Sequence, residues 1–215
     1  MIPKILHYIW VGPPMPDHLV KCIETWKPLH PEWEIMKWTD DNLDWISHRS
    51  WFDIAPKLVG PNEVGQLRAD IARLEILWKF GGVYIDCDLE ALKPIDELCK
   101  KVTGFAGFED PESLWVNNAI VGAEPENDFI GYLLDGLHER LRYCQRHNLR
   151  RPSIMTGPQW ITPLWQEHGQ DFKIYPHWYF YPYAHNELDR YGESFPDSYT
   201  IHHWHHQRTI RNRRI

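Results

Sequence analysis

Phe80-Gly81-Gly82-Val83-Tyr84-Ile85-Asp86-Cys87-Asp88-Leu89-Glu90 reads as the end of a helix, a short apolar strand and two carboxylates at the strand's tip. Side chains alternate along a strand. Val83, Ile85, Cys87 and Leu89 are therefore expected on one face, toward a core, and Tyr84, Asp86, Asp88 and Glu90 on the other. Open α/β sheets bind ligands beyond the carboxyl ends of their strands. Acids crowded there repel one another unless a cation joins them. Hard oxygen donors suit Mg²⁺ or Mn²⁺ beside the phosphates of a substrate. An Asp-x-Asp triplet alone is weak, because a solvated acidic strand end looks the same. The flanking sequence has to carry the argument.

Immediately upstream, Asn62 to Phe80 predicts a helix, with Leu67, Ile71, Leu74 and Trp78 as its core stripe. Asp70, Arg73 and Leu77 form the adjoining stripe, and Arg68, Ala72, Glu75 and Lys79 the outer side. Asp70 and Arg73 then sit at the border of the buried face, either as an ordinary i,i+3 ion pair or as part of a site. Gly81-Gly82 supplies the left-handed stop.

Nearer the start, Lys4 to Gly12 is an apolar strand, read as the first and central one. Asp17 is expected to cap a helix carrying Leu19, Val20, Ile23 and Trp26, which stops near His30-Pro31. Trp33 to Trp38 alternates like a second strand, and Asp40-Asp41-Asn42 follows as a cap or turn. Strand, helix, strand in that order opens a parallel βαβ unit. A short helix is expected over Leu43–His48, and Trp51–Pro61 reads as an irregular aromatic loop over a site.

Downstream, Lys93-Pro94-Ile95 breaks the chain, and Val102–Glu109 and Trp115–Ala123 read as an antiparallel pair with Asn117-Asn118 early in the second. Asn127–Arg146 is an amphipathic helix, and Thr156-Gly157-Pro158 starts another through His168. Phe172–Pro176 and Trp178–Tyr183 read as short strands. No repeat or linker interrupts the chain, so one α/β domain over residues 1–215 is expected.

The bulk numbers exclude several classes. At 43% hydrophobic and 25% charged, the 215 residues have a globular composition. A net charge of −7 argues against general nucleic-acid binding. Cys22, Cys87, Cys99 and Cys144 form no Cys-x-x-Cys pair, which fits reduced thiols in a cytoplasmic compartment. No signal peptide or membrane span is read in the chain. The 12 Trp and 10 Tyr fit aromatic faces that grip sugars, although Trp is also ordinary core material.

The segment Tyr199-Thr200-Ile201-His202-His203-Trp204-His205-His206-Gln207-Arg208 holds four of the 13 histidines. Imidazole binds Mn²⁺ or Zn²⁺ and contacts phosphate; an exposed His-rich tail is the plain alternative. Arg208, Arg211, Arg213 and Arg214 follow as a basic tail, solvated or in peripheral contact with an anionic membrane or a diphosphate.

These pieces together resemble glycosyltransferase family 32, the group with a DXD sugar-binding region. It includes yeast-type α-mannosyltransferases and bacterial capsule and lipopolysaccharide transferases, and is distantly related to transferase domains of large clostridial toxins. The matching residues are Ile2-Pro3-Lys4-Ile5-Leu6-His7-Tyr8-Ile9-Trp10, Ala69-Asp70-Ile71-Ala72-Arg73, Gly81-Gly82-Val83-Tyr84-Ile85-Asp86-Cys87-Asp88, Asn117-Asn118 and Ile201-His202-His203-Trp204. Residues from about Leu141 to Tyr191 carry no recognised motif, and His205-His206-Gln207-Arg208 stands where the family tends to show Ser-Trp.

The resemblance implies a GT-A fold, with a Rossmann-like mixed sheet binding nucleotide and flanked by helices. It implies that Trp10 stacks on the donor base, that Asp70 and Arg73 hold sugar hydroxyls, and that Asn118 lies near the sugar. Asp86 would contact ribose or sugar or reach the metal through water, Asp88 would bind the metal, and His202 or His203 would complete the metal or diphosphate site. Tyr84 is grouped with the donor-binding residues. The cofactor would be Mn²⁺ or Mg²⁺, the donor a UDP- or GDP-sugar, and the acceptor a glycan, lipid-linked or protein hydroxyl. The expected reaction retains anomeric configuration and gives an α-linkage, in glycan or polysaccharide biosynthesis. A nucleotide-sugar hydrolase and a non-catalytic carbohydrate-binding protein are the competing readings.

Overall fold

A computed structural model describes residues 1–205. Its regular elements are β1 (Ile5–Ile9), α1 (Asp17–Glu24), α2 (Trp26–Leu29), β2 (Glu34–Trp38), α3 (Arg49–Leu58), α4 (Val64–Phe80), β3 (Gly82–Ile85), β4 (Leu89–Ala91), β5 (Gly104–Phe108), β6 (Val116–Ala123), α5 (Asp128–Arg146), α6 (Pro152–Met155), α7 (Pro158–His168), β7 (Phe172–Tyr175) and β8 (Thr200–His202), with short 3₁₀ turns between some of them. Six strands form one mixed sheet in the order β2-β1-β3-β6-β5-β7, while β4 and β8 form a separate ribbon. The expected parallel βαβ opening is present, with β1 pairing parallel to both β2 and β3. The antiparallel pair is present too, as β5 and β6.

One core lies on each side of the sheet. Tyr84 packs with residues of α3, α4, α5 and α7, such as Phe52, Leu67, Ile71, Leu133 and Trp160. Val83 and Ile85 pack on the opposite side with Leu19, Trp26, Phe180, Tyr181 and Trp204. All four residues of β3 are buried, as befits a strand covered on both faces.

Several expectations need correction. β3 ends at Ile85, so strand alternation does not run on through the acids; Asp86–Asp88 form a turn closed by Leu89 N–H donating to the Asp86 carbonyl at 3.1 Å. Asp17 does not cap α1. The cap position is Pro16, and Asp17 lies in the first turn, where its charge meets the positive end of the helix. No helix forms over Leu43–His48; instead the presumed loop is α3, whose Trp51, Phe52, Ala55 and Leu58 make a buried stripe.

Pro56 lies inside that helix, and an internal proline leaves the carbonyl four residues back without its donor. Here Arg68 Nε donates to that Phe52 carbonyl at 3.0 Å, and its guanidinium lies 4.8 Å from the Phe52 ring centre. The helix is tolerated because a side chain from α4 replaces the missing bond.

The outer stripe expected for α4 is not all outer. Ala72 is fully buried, and Glu75 is buried with its carboxylate accepting from the His48 amide at 2.8 Å and pairing with His48 Nδ1 at 2.7 Å. α3 and its approach cover that face. The expected strand over Trp178–Tyr183 is a 3₁₀ turn at His177–Tyr179 followed by irregular chain, its Phe180, Tyr181 and Tyr183 buried as packing residues.

Gly81 has φ 62° and ψ −154°, outside the left-handed helical well that was expected but in a region open essentially to glycine alone. Gly82 has φ 90°, and a Cβ there would meet the Ile5 carbonyl at 2.6 Å. This tight reversal drops the chain from α4 directly into the sheet.

Candidate active site

The plain reading of the histidine segment as an exposed tail does not hold for the described residues. β8 pairs antiparallel with β4, setting His202 opposite Leu89, and Thr200 to Trp204 are buried. His203 N–H donates to the Asp88 carbonyl at 3.1 Å. These backbone bonds bring the C-terminal segment against the acidic turn. His206 and the basic residues Arg208, Arg211, Arg213 and Arg214 lie outside the described residues.

The result is a convergence of Asp86, Asp88 and His202, with one donor atom of each within 4.8 Å of the others. His202 Nε2 lies 3.0 Å from Asp88 Oδ1 and 4.0 Å from Asp86 Oδ2. Asp88 Oδ2 also accepts the His205 amide at 2.9 Å. His203 is turned elsewhere, its Nε2 2.8 Å from Glu90, so this geometry places His202, and not His203, in the cluster. Successive residues of a strand face opposite ways, which separates the two histidines.

Beneath this cluster lies a second one. The Arg73 guanidinium reaches Asp70 Oδ1 at 2.9 Å and Asp86 Oδ1 at 3.2 Å, and sits 4.3 Å from the Tyr84 ring centre. Tyr84 O–H donates to Asp86 Oδ1 at 2.7 Å. Asn118 Nδ2 donates to Asp70 Oδ1 at 3.1 Å, and the Asn118 carbonyl accepts from Arg73. Asp70 and Arg73 are each 2% exposed. They form the floor of the site rather than the border of a helix face, and the ion pair ties α4 to the tips of β3 and β6.

Trp10 is half-buried just past β1, its indole N–H donating to the Pro13 carbonyl at 2.5 Å. Cys87 donates to the Ile9 carbonyl at 3.3 Å, joining the end of β1 to the acidic turn. The site thus draws on the ends of β1, β3 and β6, on α4, and on the C-terminal ribbon.

Burial pushes the Asp86 carboxyl up, against the pull of Arg73 and His202. Burial raises Asp70 likewise, offset by Arg73 and Thr156. For Asp88 burial also acts upward, but the charge and hydrogen bond of His202 and the His205 amide win and hold it below the usual carboxylate range. Burial would lower His202, yet its pairing with Asp88 raises it. Three carboxylates therefore face one guanidinium and one imidazole, which leaves negative charge at the opening even when His202 is protonated.

The residues present fit a hard divalent ion. Two carboxylates and one imidazole suit Mn²⁺ or Mg²⁺ better than a soft ion, and three protein donors leave positions for phosphate oxygens. Among the described residues His202 Nδ1 is buried with no hydrogen-bond partner, so the ring's polar engagement is entirely through Nε2, toward the two acids.

Two further residues support the site, and neither was assigned a role from sequence. Thr156 O–H donates to Asp70 Oδ2 at 2.6 Å from within the stretch without a recognised motif. Trp204 packs against the His202 ring at 4.1 Å between centres, its own N–H donating to the Tyr183 carbonyl. In sequence Thr156 reads only as a helix start, and nothing beside it points to Asp70.

Residues 16–104 match the family described as "Glycosyltransferase sugar-binding region containing DXD motif". That stretch carries the family's sugar-binding region. Among its curated relatives, a mannosyl phosphorylinositol ceramide synthase of Saccharomyces cerevisiae is 30% identical over 78% of this chain and 43% of its own length. Inositol phosphoceramide mannosyltransferase 2 of Schizosaccharomyces pombe is 28% identical over 93% of this chain and 56% of its own. The chain spans about half the length of the curated relatives it matches. Among solved structures, the PaToxG glycosyltransferase superposes with a TM-score of 0.60 at 18% identity, covering 78% of this chain and 70% of the other. The UDP-bound glycosyltransferase domain of the YGT toxin gives 0.57 at 11%, covering 81% and 79%. These likenesses establish the fold, which is GT-A.

Proposed function

We propose that this protein is a metal-dependent, retaining glycosyltransferase, a single domain over residues 1–215. It would move a sugar from a UDP- or GDP-sugar to a hydroxyl acceptor and form an α-linkage. The observation that carries this reading is the placement of His202 against Asp86 and Asp88, three donors gathered from distant parts of the chain. A structural ion pair would not need the second carboxylate so close.

Asp88, Asp86 and His202 would hold the ion. When bound, a divalent ion there supplies Lewis-acid stabilisation for the negative charge on the departing diphosphate. Asp88, held ionised by its histidine and amide donors, is ready to bind a cation over the whole working pH range. Asp70, Arg73 and Asn118 would hold hydroxyls of the donor sugar, and their mutual bonds fix the floor before substrate arrives, which is worth several kcal/mol in orientation. Trp10 would stack on the base.

As the anomeric carbon–oxygen bond to phosphate breaks, the acceptor oxygen bonds to that carbon from the same face, and the acceptor's proton passes to the departing phosphate. No protein nucleophile enters this scheme. A cytoplasmic location fits the four unpaired, buried cysteines. No helix among the described residues is long and apolar enough to cross a membrane. The relatives' names make a mannosyl donor and inositol phosphoceramide the first pair to assay.

The test is product analysis with GDP- and UDP-sugars, with and without acceptor, in Mn²⁺ and in EDTA. Transfer with Mn²⁺, and its loss in EDTA and in Asp88→Asn by about a thousandfold or more, is the expected outcome. Full transfer in EDTA would remove the metal. Free sugar as the sole product in the presence of every acceptor would make the protein a hydrolase.

A further inference from the structure

The corner between α6 and α7 has no place in the mechanism above, yet it reaches the floor of the site. Thr156 is 1% exposed, and its hydroxyl lies 2.6 Å from Asp70 Oδ2, 86 residues earlier in the chain. The corner is rigid. The amides of Thr156 and Gly157 both donate to the Pro152 carbonyl at 2.9 Å, and a Cβ on Gly157 would fall 2.9 Å from the Ser153 Cα. One turn into α7, Thr162 Oγ1 accepts the Val116 amide at 2.8 Å, two residues before Asn118. The same corner thus fastens Asp70 directly and the Asn118 strand at its start.

An ionised carboxylate offers about four lone-pair positions. On Asp70, Oδ1 receives Arg73 at 2.9 Å and Asn118 at 3.1 Å, while Oδ2 receives Thr156. Among the described residues these donors leave one acceptor position, on Oδ2 beside the Thr156 hydroxyl. Arg73 and Asn118 both act on the other oxygen, so among the described residues Thr156 is the donor that holds Oδ2 itself.

We propose that Thr156 is a positioning residue: its hydroxyl aims the remaining acceptor position of Asp70 at one hydroxyl of the donor sugar, so that grip on the sugar, as distinct from the nucleotide, depends on it. This rests on the reading that Asp70 holds the sugar. The methyl group of Thr156 fills the corner, and only the hydroxyl carries the positional information. Serine retains that function and valine, of nearly the same shape, does not.

Calorimetric titration in Mn²⁺ tests this, with GDP-mannose against GDP and UDP-glucose against UDP as the probes, on wild type, Thr156→Val, Thr156→Ser and Asp70→Asn. For whichever pair binds, Thr156→Val should weaken the nucleotide sugar about tenfold or more, the size expected for a lost hydrogen bond to a buried charge. The plain nucleotide should stay within about twofold, and Thr156→Ser should restore sugar binding. If valine does not fold in place, Thr156→Ala replaces it. Wild-type affinity for the nucleotide sugar in the valine or alanine variant overturns the proposal, as does equal weakening of sugar-bearing and plain nucleotide. If Asp70→Asn itself leaves the sugar's share of binding intact, the donor-site reading falls and this inference with it. Loss in Asp70→Asn with none in Thr156→Val sinks the inference alone.

Discussion

Acid should unfold this protein partly through His7, a fully buried residue of β1. Both ring nitrogens are engaged in a way that only the neutral ring satisfies. Nδ1 accepts the Trp38 indole N–H at 3.1 Å, and Nε2 lies 2.9 Å from the Gly81 carbonyl and must carry the hydrogen. A second ring proton would face the indole N–H. Burial pushes His7 down from 6.5 to about 4, against the small upward pull of the Gly81 bond. Between those values the unfolded chain binds the proton and the folded one does not, so stability rises with pH there. The contribution is complete above 6.5 and is lost as pH falls toward 4. At ~1.36 kcal/mol per unit, the loss between about pH 7.5 and 4.5 comes to roughly 2.5 kcal/mol. Urea unfolding of wild type and His7→Gln at both pH values, with chelator throughout, isolates this share from the other titrating groups. The wild type should lose about 2.5 kcal/mol more than the variant across that interval. Parallel losses in the two proteins would refute the tautomer argument.

Other substitutions test the frame. Gly82→Ala should destabilise by several kcal/mol or prevent folding, because the new Cβ meets the Ile5 carbonyl at 2.6 Å with φ at 90°; melting temperature or soluble yield reports it. Arg68→Met should cost about 1–3 kcal/mol in urea unfolding, since it leaves the Phe52 carbonyl, already deprived by Pro56, without a protein donor. Gly65→Ala, with nothing within 4 Å of the new Cβ and no left-handed backbone to strain, should stabilise α4 by about 0.5 kcal/mol in the same assay.

Local pattern alone was enough for the strand–helix–strand opening, the long helix ahead of Gly81, the antiparallel pair and the acids at the tip of β3. Each of these is written in a short window: alternation, a repeat every three to four residues, a glycine pair, two charges. Where the window misled, a distant residue was responsible. Trp51–Pro61 looked like a loop, and its proline is held within a helix by the bond that Arg68 gives Phe52 from another element. Ala72 and Glu75 looked solvated because α3 was not yet over them. Asp70 and Arg73 read equally well as an ordinary i,i+3 pair at the border of the buried face, and only packing against β3 and β6 puts them 2% exposed beneath Asp86.

The choice of His202 over His203 was likewise beyond the reach of sequence, for it depends on how β8 pairs with β4, and a one-residue slip would exchange the two. Thr156 shows the same limit most plainly: its partner stands 86 residues away, and no pattern within a chain encodes a contact made by folding helices around both faces of a sheet. The types of residue needed for chemistry were legible in order. Which of them meet was decided by long-range pairing and burial, because those depend on the whole chain's hydrophobic closure rather than on any neighbour.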